Sequence, residues 1–511
     1  MEKQLAQKKK KTQSQKYSSK ILIVSLVAFF VLSQFVIFSV AREPWFDVSF
    51  SLETVHLLHE NGPLSISWAE YDVHPPVYYY ALYGWSFLNP GMTEYHWGQE
   101  LSVLFGLLFI FFAGLGLKKL FGVQGALVTL FFAFSTTIWH YGTEVRAYML
   151  LMMISAFIFY AVANWMRGWR GIVAYGLLIV LPFIHYFSGI VMPFYILLYL
   201  GLSRKGAVEG KERVVKVLGM ATASIVSTAI AFFVFALPQM SRTAGTLFQA
   251  PSLSSFSSSL FYSMFVIENP VTSLTSISVA IYVVFNLFLM AILVYGLFKI
   301  FANKVWLNQD IILLILFLSG IFPLGMLAIL SLLGGVLPNI YHHRFFLVLI
   351  WCFAAATYIL VIRAIEKARI VAKVLIIILL VLLMVFMQVK YVQSTYHELD
   401  DLARHTPCPE EQVAIAHESM FSLIPYEVYA RELGCNWYNF VSTNLDEKFT
   451  NGRGFDAISE EEQVFRNFTL PPHEFLYVQS GDVIPLGDRY TEIMYESNGV
   501  WLTYVGPENN R

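Results

Sequence analysis

The sequence predicts an α-helical polytopic membrane protein of about eleven transmembrane helices, followed by a small C-terminal α/β domain. Three observations predict it. The 511-residue chain is 57% hydrophobic and only 14% charged, against roughly 25% charged in soluble globular proteins. Apolar runs of near-span length recur as far as residue 392, and the loops between them are alternately rich and poor in Lys and Arg. From about residue 396 the composition turns to that of an ordinary soluble domain. A formal net charge of −1 gives no ground for a nucleic-acid partner.

The first run, 21–41, follows a basic tail of 1–20 containing Lys8, Lys9, Lys10, Lys11, Lys16 and Lys20. It exceeds the roughly 7–15 residues of a signal-peptide core, so it is read as a retained first span. Further candidates are 98–117, 120–139, 147–166, 171–187, 188–203, 217–237, 273–298, 311–333, 345–362 and 374–392. The segment 76–88 is short and rich in Tyr and Trp, which suits the interface rather than a crossing.

Charge sets the sidedness. One set of loops receives the tail, Lys118 and Lys119, Arg167 and Arg170, Arg204 to Lys216, Lys299 and Lys304, and Arg363 to Lys373. The other set holds only Arg42, Arg146, Arg242, Arg344 and Lys390. Basic loops lie in the cytoplasm. The expected protein is therefore a multi-pass plasma-membrane protein with its N-terminus cytoplasmic and its C-terminal domain extracytoplasmic. The domain plan is a membrane domain over 21–395, with a long outer loop at 42–97, and an outer domain over 396–511.

In that last domain EQVAIAH, CNWYNFVS, EFLYVQ, YTEIMYES and VWLTYVG read as strands. SLIPYEVYARELG reads as a helix ending at Gly434. Cys408 and Cys435 either pair, as an outer compartment permits, or are unrelated thiols. Cys352 reads as a core residue.

Three polar clusters fall in the outer set of loops. The first contains Asp47, with Glu70, Asp72 and His74-Pro75-Pro76 further along. The second is His140-Tyr141-Gly142-Thr143-Glu144-Val145-Arg146-Ala147-Tyr148. The third is Tyr341-His342-His343-Arg344-Phe345. His185-Tyr186 falls at an outer turn. Charge near a membrane is costly and usually serves a function. A carboxylate can take a proton from a hydroxyl, and Arg or His can grip a phosphate by charge-assisted hydrogen bonds. Aromatic rings can stack on a sugar and line an apolar channel. A lipid-linked sugar phosphate would use all three.

These residues carry a resemblance. The chain resembles the GT-C superfamily of membrane glycosyltransferases, in the branch of protein O-mannosyltransferase-like and lipid A aminoarabinose transferase-like enzymes related to glycosyltransferase family 39. It rests on Asp47 after the first span, His74-Pro75-Pro76-Val77-Tyr78-Tyr79, the Glu144, Arg146 and Tyr148 pattern, His185-Tyr186, and Arg344-Phe345. It covers about residues 20–392. The resemblance implies a GT-C fold and sugar transfer from a dolichyl- or undecaprenyl-phosphate donor to a protein, lipid or polysaccharide acceptor. It implies Asp47 as catalytic base and Glu144 as a second acidic site residue. It implies His74, Arg146, Tyr148, His185 and Arg344 as substrate-binding residues.

Two departures stand out. Asp47 is flanked by Phe46 and Val48 where many relatives have adjacent acids, which weakens any case for a divalent metal held by an acidic pair. Phe345 stands where many have Tyr. A divalent metal stays open, and no other cofactor is called for. The rival readings are a flippase of lipid-linked sugars, disfavoured by spans almost free of charge, and a non-catalytic membrane scaffold. Locally, Asp47 could instead cap a helix starting near Ser49–Glu53, and Tyr78-Tyr79-Tyr80 could form an interface belt.

Overall fold

The computed structural model describes residues 46–68, 74–88, 94–133, 135–203, 210–240, 308–332, 347–365, 398–408, 413–417, 428–431, 433–435, 437–441, 475–480, 489–497 and 500–508, with isolated positions between 291 and 302. The expected spans at 21–41 and 374–392 lie outside the described residues, as do most of 273–298, Arg344, His342, His343, Glu70 and Asp72.

The outer loop folds into two helices, α1 (Phe46–Asn61) and α2 (Val77–Ser86). Helix α1 is two-faced in size rather than polarity. Val48, Leu52, Val55 and Leu58 are buried, and so are the small residues Ser49, Ser51 and Thr54, which allow close approach. The Thr54 hydroxyl donates back to the Phe50 carbonyl at 2.7 Å, satisfying it inside an apolar setting. Because α1 begins at Phe46, Asp47 sits inside its first turn rather than at a cap near Ser49, which corrects the capping alternative.

Helix α2 starts directly after Pro75-Pro76, where fixed φ favours a first turn. Ten residues rise about 15 Å, half a bilayer core, so α2 is no span. It is not a belt either. Tyr78, Tyr79 and Leu82 are buried in the main core. The Trp85 indole donates to the Trp97 carbonyl at 2.9 Å, Tyr80 Oη donates to the Pro63 carbonyl at 2.8 Å, and Trp68 stacks on Tyr79. The interface-belt reading of this run therefore fails for Tyr78 and Tyr79. The Tyr80 and Trp85 polar tips are thus anchored to backbone, while the buried rings pack between α1 and the helix that starts at Glu94.

The bundle follows as α3 (Glu94–Phe121), α4 (Val123–Ala133), α5 (Thr136–Thr143), α6 (Tyr148–Ala163), α7 (Trp169–Val180), α8 (Met192–Ser203), α9 (Gly210–Ala231), α10 (Asn308–Leu332) and α11 (Leu347–Ile365). Among the described residues, Tyr95–Phe121 and Gly210–Ala236 are each long and apolar enough to cross a membrane. Val123–Ala133 and Thr137–Thr143 make a third if they form one span bent by 58°. Helices α6 (16 residues), α7 (12) and α8 (12) are shorter than the spans expected from sequence at 147–166, 171–187 and 188–203. One reason is local. The apolar stretch from Trp169 is interrupted by 3-10 turns at Leu181–Phe183 and Tyr186–Val191, around Pro182 and His185.

Helix α6 is the hub. It is buried almost throughout, packs along α3, and also meets α7, α8 and α11. A polar clasp pins it. Trp351 Nε1 donates to Ser155 Oγ at 2.8 Å, Ser155 Oγ contacts both the Tyr195 hydroxyl and the Val348 carbonyl, and Tyr195 Oη donates to the Ser155 carbonyl at 3.0 Å. Buried polar groups this well satisfied add orientation that apolar packing alone lacks. By contrast, α7 and α9 expose Ile172, Val173, Ile179, Val214, Ile225 and Val226. Contiguous exposed apolar faces of this kind are what a bilayer covers.

Beyond the bundle, α12 (Glu398–His405) packs on a five-stranded sheet of β1 (Val413–His417), β2 (Trp437–Val441), β3 (Phe475–Ser480), β4 (Arg489–Ser497) and β5 (Val500–Glu508). The order is β2-β1-β3-β5-β4, with β1 parallel to β2 and β3, and the β3-β5-β4 half antiparallel. Residues 428–431 are helical, and Gly434, at φ +69°, takes the left-handed turn that ends a helix. Cys408 and Cys435 are joined as a disulfide, and Cys352 is a free buried thiol.

Candidate active site

The turn between α5 and α6 carries two of the residues singled out above. Ser135 caps α5, accepting from the Ile138 amide, a contact worth about 1 kcal/mol. Helix α5 ends at Thr143, and Glu144 is extended (φ −89°, ψ 128°). The Arg146 amide then donates to the Glu144 carbonyl at 2.8 Å, closing a tight reversal before α6. Two α3 side chains hold this turn from behind. Gln99 Nε2 donates to the Thr143 carbonyl at 3.1 Å, and Ser102 Oγ donates to the Glu144 carbonyl at 2.6 Å. Gly98 on α3 permits the approach, since a Cβ there would lie 2.8 Å from Val145 Cγ1.

The reversal delivers Arg146 into the interior, at 5% exposure, with Glu144 at 2%. Arg146 Nη2 donates to His74 Nε2 at 3.2 Å. That bond fixes the acceptor nitrogen of His74, because arginine has no lone pair to offer. Two sequence neighbours of a turn, two apart, thus point to different partners. Glu144 Oε2 lies 3.7 Å from His140 Nε2, one helical turn earlier.

His74, Pro75, Tyr78, Tyr79, Arg146, Ala147, Tyr148, Ile184 and His185 line a small cleft. Its walls come from the start of α2, the α5–α6 turn and the 3-10 break after α7. The His74 and His185 rings lie 6.0 Å apart by centroid, and Tyr148 lies 6.2 Å from His185. Four of the seven residues expected at a site are therefore gathered here: His74, Arg146, Tyr148 and His185. Glu144 is buried immediately behind them. Asp47 is placed on the first turn of α1, with the backbone alone described, and Arg344 lies outside the described residues.

Burial pushes the Tyr78 phenol well above the ordinary tyrosine range. Ser102 and Arg146 act against that rise and Glu144 adds to it. The hydroxyl therefore stays protonated and can donate. The chemistry on offer is a cation, two imidazoles and three phenols in an aromatic-walled cleft, with one buried carboxylate at its back. Such a set holds a phosphate and flanks a ring. Among the described residues no group of three or more His, Cys, Asp or Glu converges to hold a metal ion.

Sequence reading named Tyr78 and His140 within its motifs but not among the site residues. Both had a signal: Tyr78 follows His74-Pro75-Pro76 by one turn, and His140 precedes Glu144 by four residues.

No protein-family model and no curated protein matches the sequence. Solved structures do. ArnT from Cupriavidus metallidurans bound to undecaprenyl phosphate matches with a TM-score of 0.54 at 13% identity, over 94% of this chain and 97% of that one. The Archaeoglobus fulgidus oligosaccharyltransferase in complex with Zn and sulfate matches at 0.51 and 11% identity, over 89% and 68%. In its apo form the same enzyme matches at 0.48 and 13% identity, over 81% of this chain and 64% of that one. The chain thus spans nearly the whole of ArnT and about two thirds of the archaeal enzyme. It has the GT-C fold of these membrane glycosyltransferases. At such low identity the likeness extends to fold and not to donor or acceptor.

Proposed function

We propose that this chain is a membrane glycosyltransferase that takes a sugar from a polyprenyl-phosphate donor and passes it to an acceptor hydroxyl or amide on the outer face. The observation that carries it is buried Arg146, hydrogen-bonded to His74 at the wall of an aromatic cleft, in a chain with the fold of a structure that holds undecaprenyl phosphate. A lipid phosphate reaching this wall would take charge-assisted hydrogen bonds from such a guanidinium.

The step is a single displacement. The acceptor atom bonds to the anomeric carbon as the bond from that carbon to the phosphate oxygen breaks. The electron pair leaves with the phosphate, and the acceptor proton passes to the Asp47 carboxylate. Configuration inverts. Arg146 offers donors where the leaving phosphate gains charge, the point at which fixed dipoles lower a barrier most, and Arg344 is assigned to the same phosphate. His74 orients Arg146, Tyr148 and His185 flank the sugar, and Glu144 acts as the second acidic residue. In this reading the bundle over 21–395 is the catalytic domain, and 396–511 stands on the outer side, covering the site or meeting the acceptor.

The test is incubation of purified protein with a panel of undecaprenyl- and dolichyl-phosphate sugars, following release of the free lipid phosphate. Consumption of one donor, abolished in Arg146→Ala, supports the reading. All donors left intact, with properly folded protein and a broad set of acceptors present, would refute it.

A further inference from the structure

His140 stands outside the set of residues that the reading above uses. It lies in the last turn of α5, four residues before Glu144, and its Nε2 is 3.7 Å from Glu144 Oε2. The carboxylate side chain is 2% exposed and the imidazole 18%, so water screens the pair poorly. The ring is held in place. It meets Tyr141 edge-on with centroids 4.7 Å apart, and Tyr141 meets Tyr148 of the cleft edge-on at 5.0 Å. The Thr143 hydroxyl donates to the His140 carbonyl at 3.2 Å. Arg146 follows Glu144 by two residues, and both charges bear on the Tyr78 phenol, the guanidinium favouring its ionised form and the carboxylate opposing it. Guanidinium and carboxylate are therefore near neighbours. An arginine–carboxylate pair is bidentate and stronger than a bond from arginine to a neutral imidazole nitrogen. Left to that attraction, the Arg146 fork turns back onto Glu144 and gives up His74. A cation at residue 140 offers Glu144 opposite charge from the α5 side instead.

We infer that His140, in its protonated form, is a positioning residue that holds the Glu144 carboxylate against α5 and so keeps the Arg146 guanidinium at the cleft wall beside His74. Its consequence for binding rests on the reading of Arg146 as the donor-phosphate residue, whereas its consequence for Arg146 rests on the geometry of the turn alone. The titratable and charged groups around the pair come from four elements. They are Tyr141 on α5, Arg146 in the turn, Tyr78 on α2 and Tyr148 on α6, with His74 beyond Arg146. Helix α3 reaches the turn with Gln99 and Ser102, which do not titrate, and α4 carries no titratable residue. Within the histidine range the charge of this pair is therefore set at residue 140.

The experiment compares wild type, His140→Gln, His140→Lys and the double variant His140→Gln, Glu144→Gln in lipid nanodiscs. The probes are undecaprenyl phosphate and the matching lipid alcohol without phosphate. His140→Gln should weaken undecaprenyl phosphate binding roughly tenfold, the scale of one hydrogen bond to a charged group. His140→Lys keeps the cation and should keep the affinity. Adding Glu144→Gln to His140→Gln should restore binding to the level of Glu144→Gln alone, because no carboxylate is left to capture Arg146. As pH rises through the histidine range, wild type should fall toward His140→Gln while His140→Lys holds. His74 and His185 titrate in every variant, so that difference belongs to residue 140. A second readout needs no ligand: in thermal melting, the coupling between Arg146→Gln and Glu144→Gln should be larger in the His140→Gln background than in wild type. Equal affinity of wild type and His140→Gln would overturn the inference and leave the lipid-phosphate reading intact. A loss that Glu144→Gln does not relieve would make His140 merely structural, which also overturns it. Failure of wild type to prefer undecaprenyl phosphate over the alcohol would remove the lipid-phosphate reading. The melting cycle then decides the inference by itself, and unchanged coupling overturns it.

Discussion

Arg431 Nη1 lies 2.8 Å from Glu53 Oε2, joining a segment next to the Cys408–Cys435 disulfide to the helix that carries Asp47. The contact is an ion pair, although its angle leaves Glu53 Oε2 outside hydrogen-bond geometry. Val428, one turn earlier, is fully buried in the same apolar cluster as Val48, Leu52 and Val55. The C-terminal segment is thereby a buttress of α1. Both charged side chains are about a quarter exposed, so the pair itself contributes about 1 kcal/mol or less. Glu53→Gln should leave melting almost unchanged. Val428→Ala should cost about 2 kcal/mol through its lost burial. Both should lower transfer activity if α1 is held in place from this side. Thermal melting beside donor turnover separates the effects, and full activity in Val428→Ala would show that the buttress does not matter.

The disulfide makes a related prediction. It closes a loop between residues 27 apart in sequence, and a cross-link of that span stabilises by about 2–4 kcal/mol in chain-entropy terms. Cys408→Ser with Cys435→Ser should raise protease sensitivity near residues 428–435 before the bundle melts. The readout is limited proteolysis with mass mapping. Unchanged cleavage would mean that Val428 and its neighbours alone hold the segment.

Arg146 should not tolerate lysine. Its fork donates to His74 at the wall of the cleft, and a lysine ammonium keeps the charge but not that planar geometry. Arg146→Lys should lower turnover by about a hundredfold, the scale on which loss of a transition-state donor acts. Steady-state kinetics with the active donor checks this. A rise in KM alone, with kcat kept, would assign Arg146 to ground-state binding instead.

The sequence was informative where chemistry clusters along the chain. The pattern of Glu144, Arg146 and Tyr148 could be read because charge in an apolar chain is conspicuous, and His74 because it precedes two prolines. What could not be read was how a turn splits neighbours. Glu144 and Arg146 face different partners since the backbone between them reverses, held by Gln99 and Ser102 from a distant helix. Composition suggested that Tyr78 and Tyr79 lie at an interface. Only packing against α1 and α3 shows that they are core. Helix lengths were smoothed in the same way, because hydropathy cannot see the 3-10 breaks around Pro182 and His185.

Gly98 offers the last prediction, because it tests placement of the α5–α6 turn without altering any polar group of the cleft. A Cβ at residue 98 would meet Val145 at 2.8 and 3.1 Å and Leu52 at 3.3 Å. Overpacking of this kind costs about 1–3 kcal/mol, and here it pushes on the turn that sets Arg146. Gly98→Ala should therefore reduce turnover by more than its change in melting would explain. Adding Val145→Ala removes the two nearest methyl contacts, so the double variant should regain much of the activity. The pair is coupled by direct contact, and a double-mutant cycle measures that coupling. Strict additivity in the cycle would show that the turn is positioned by Gln99 and Ser102 alone, with no part played by the close passage of α3 at Gly98.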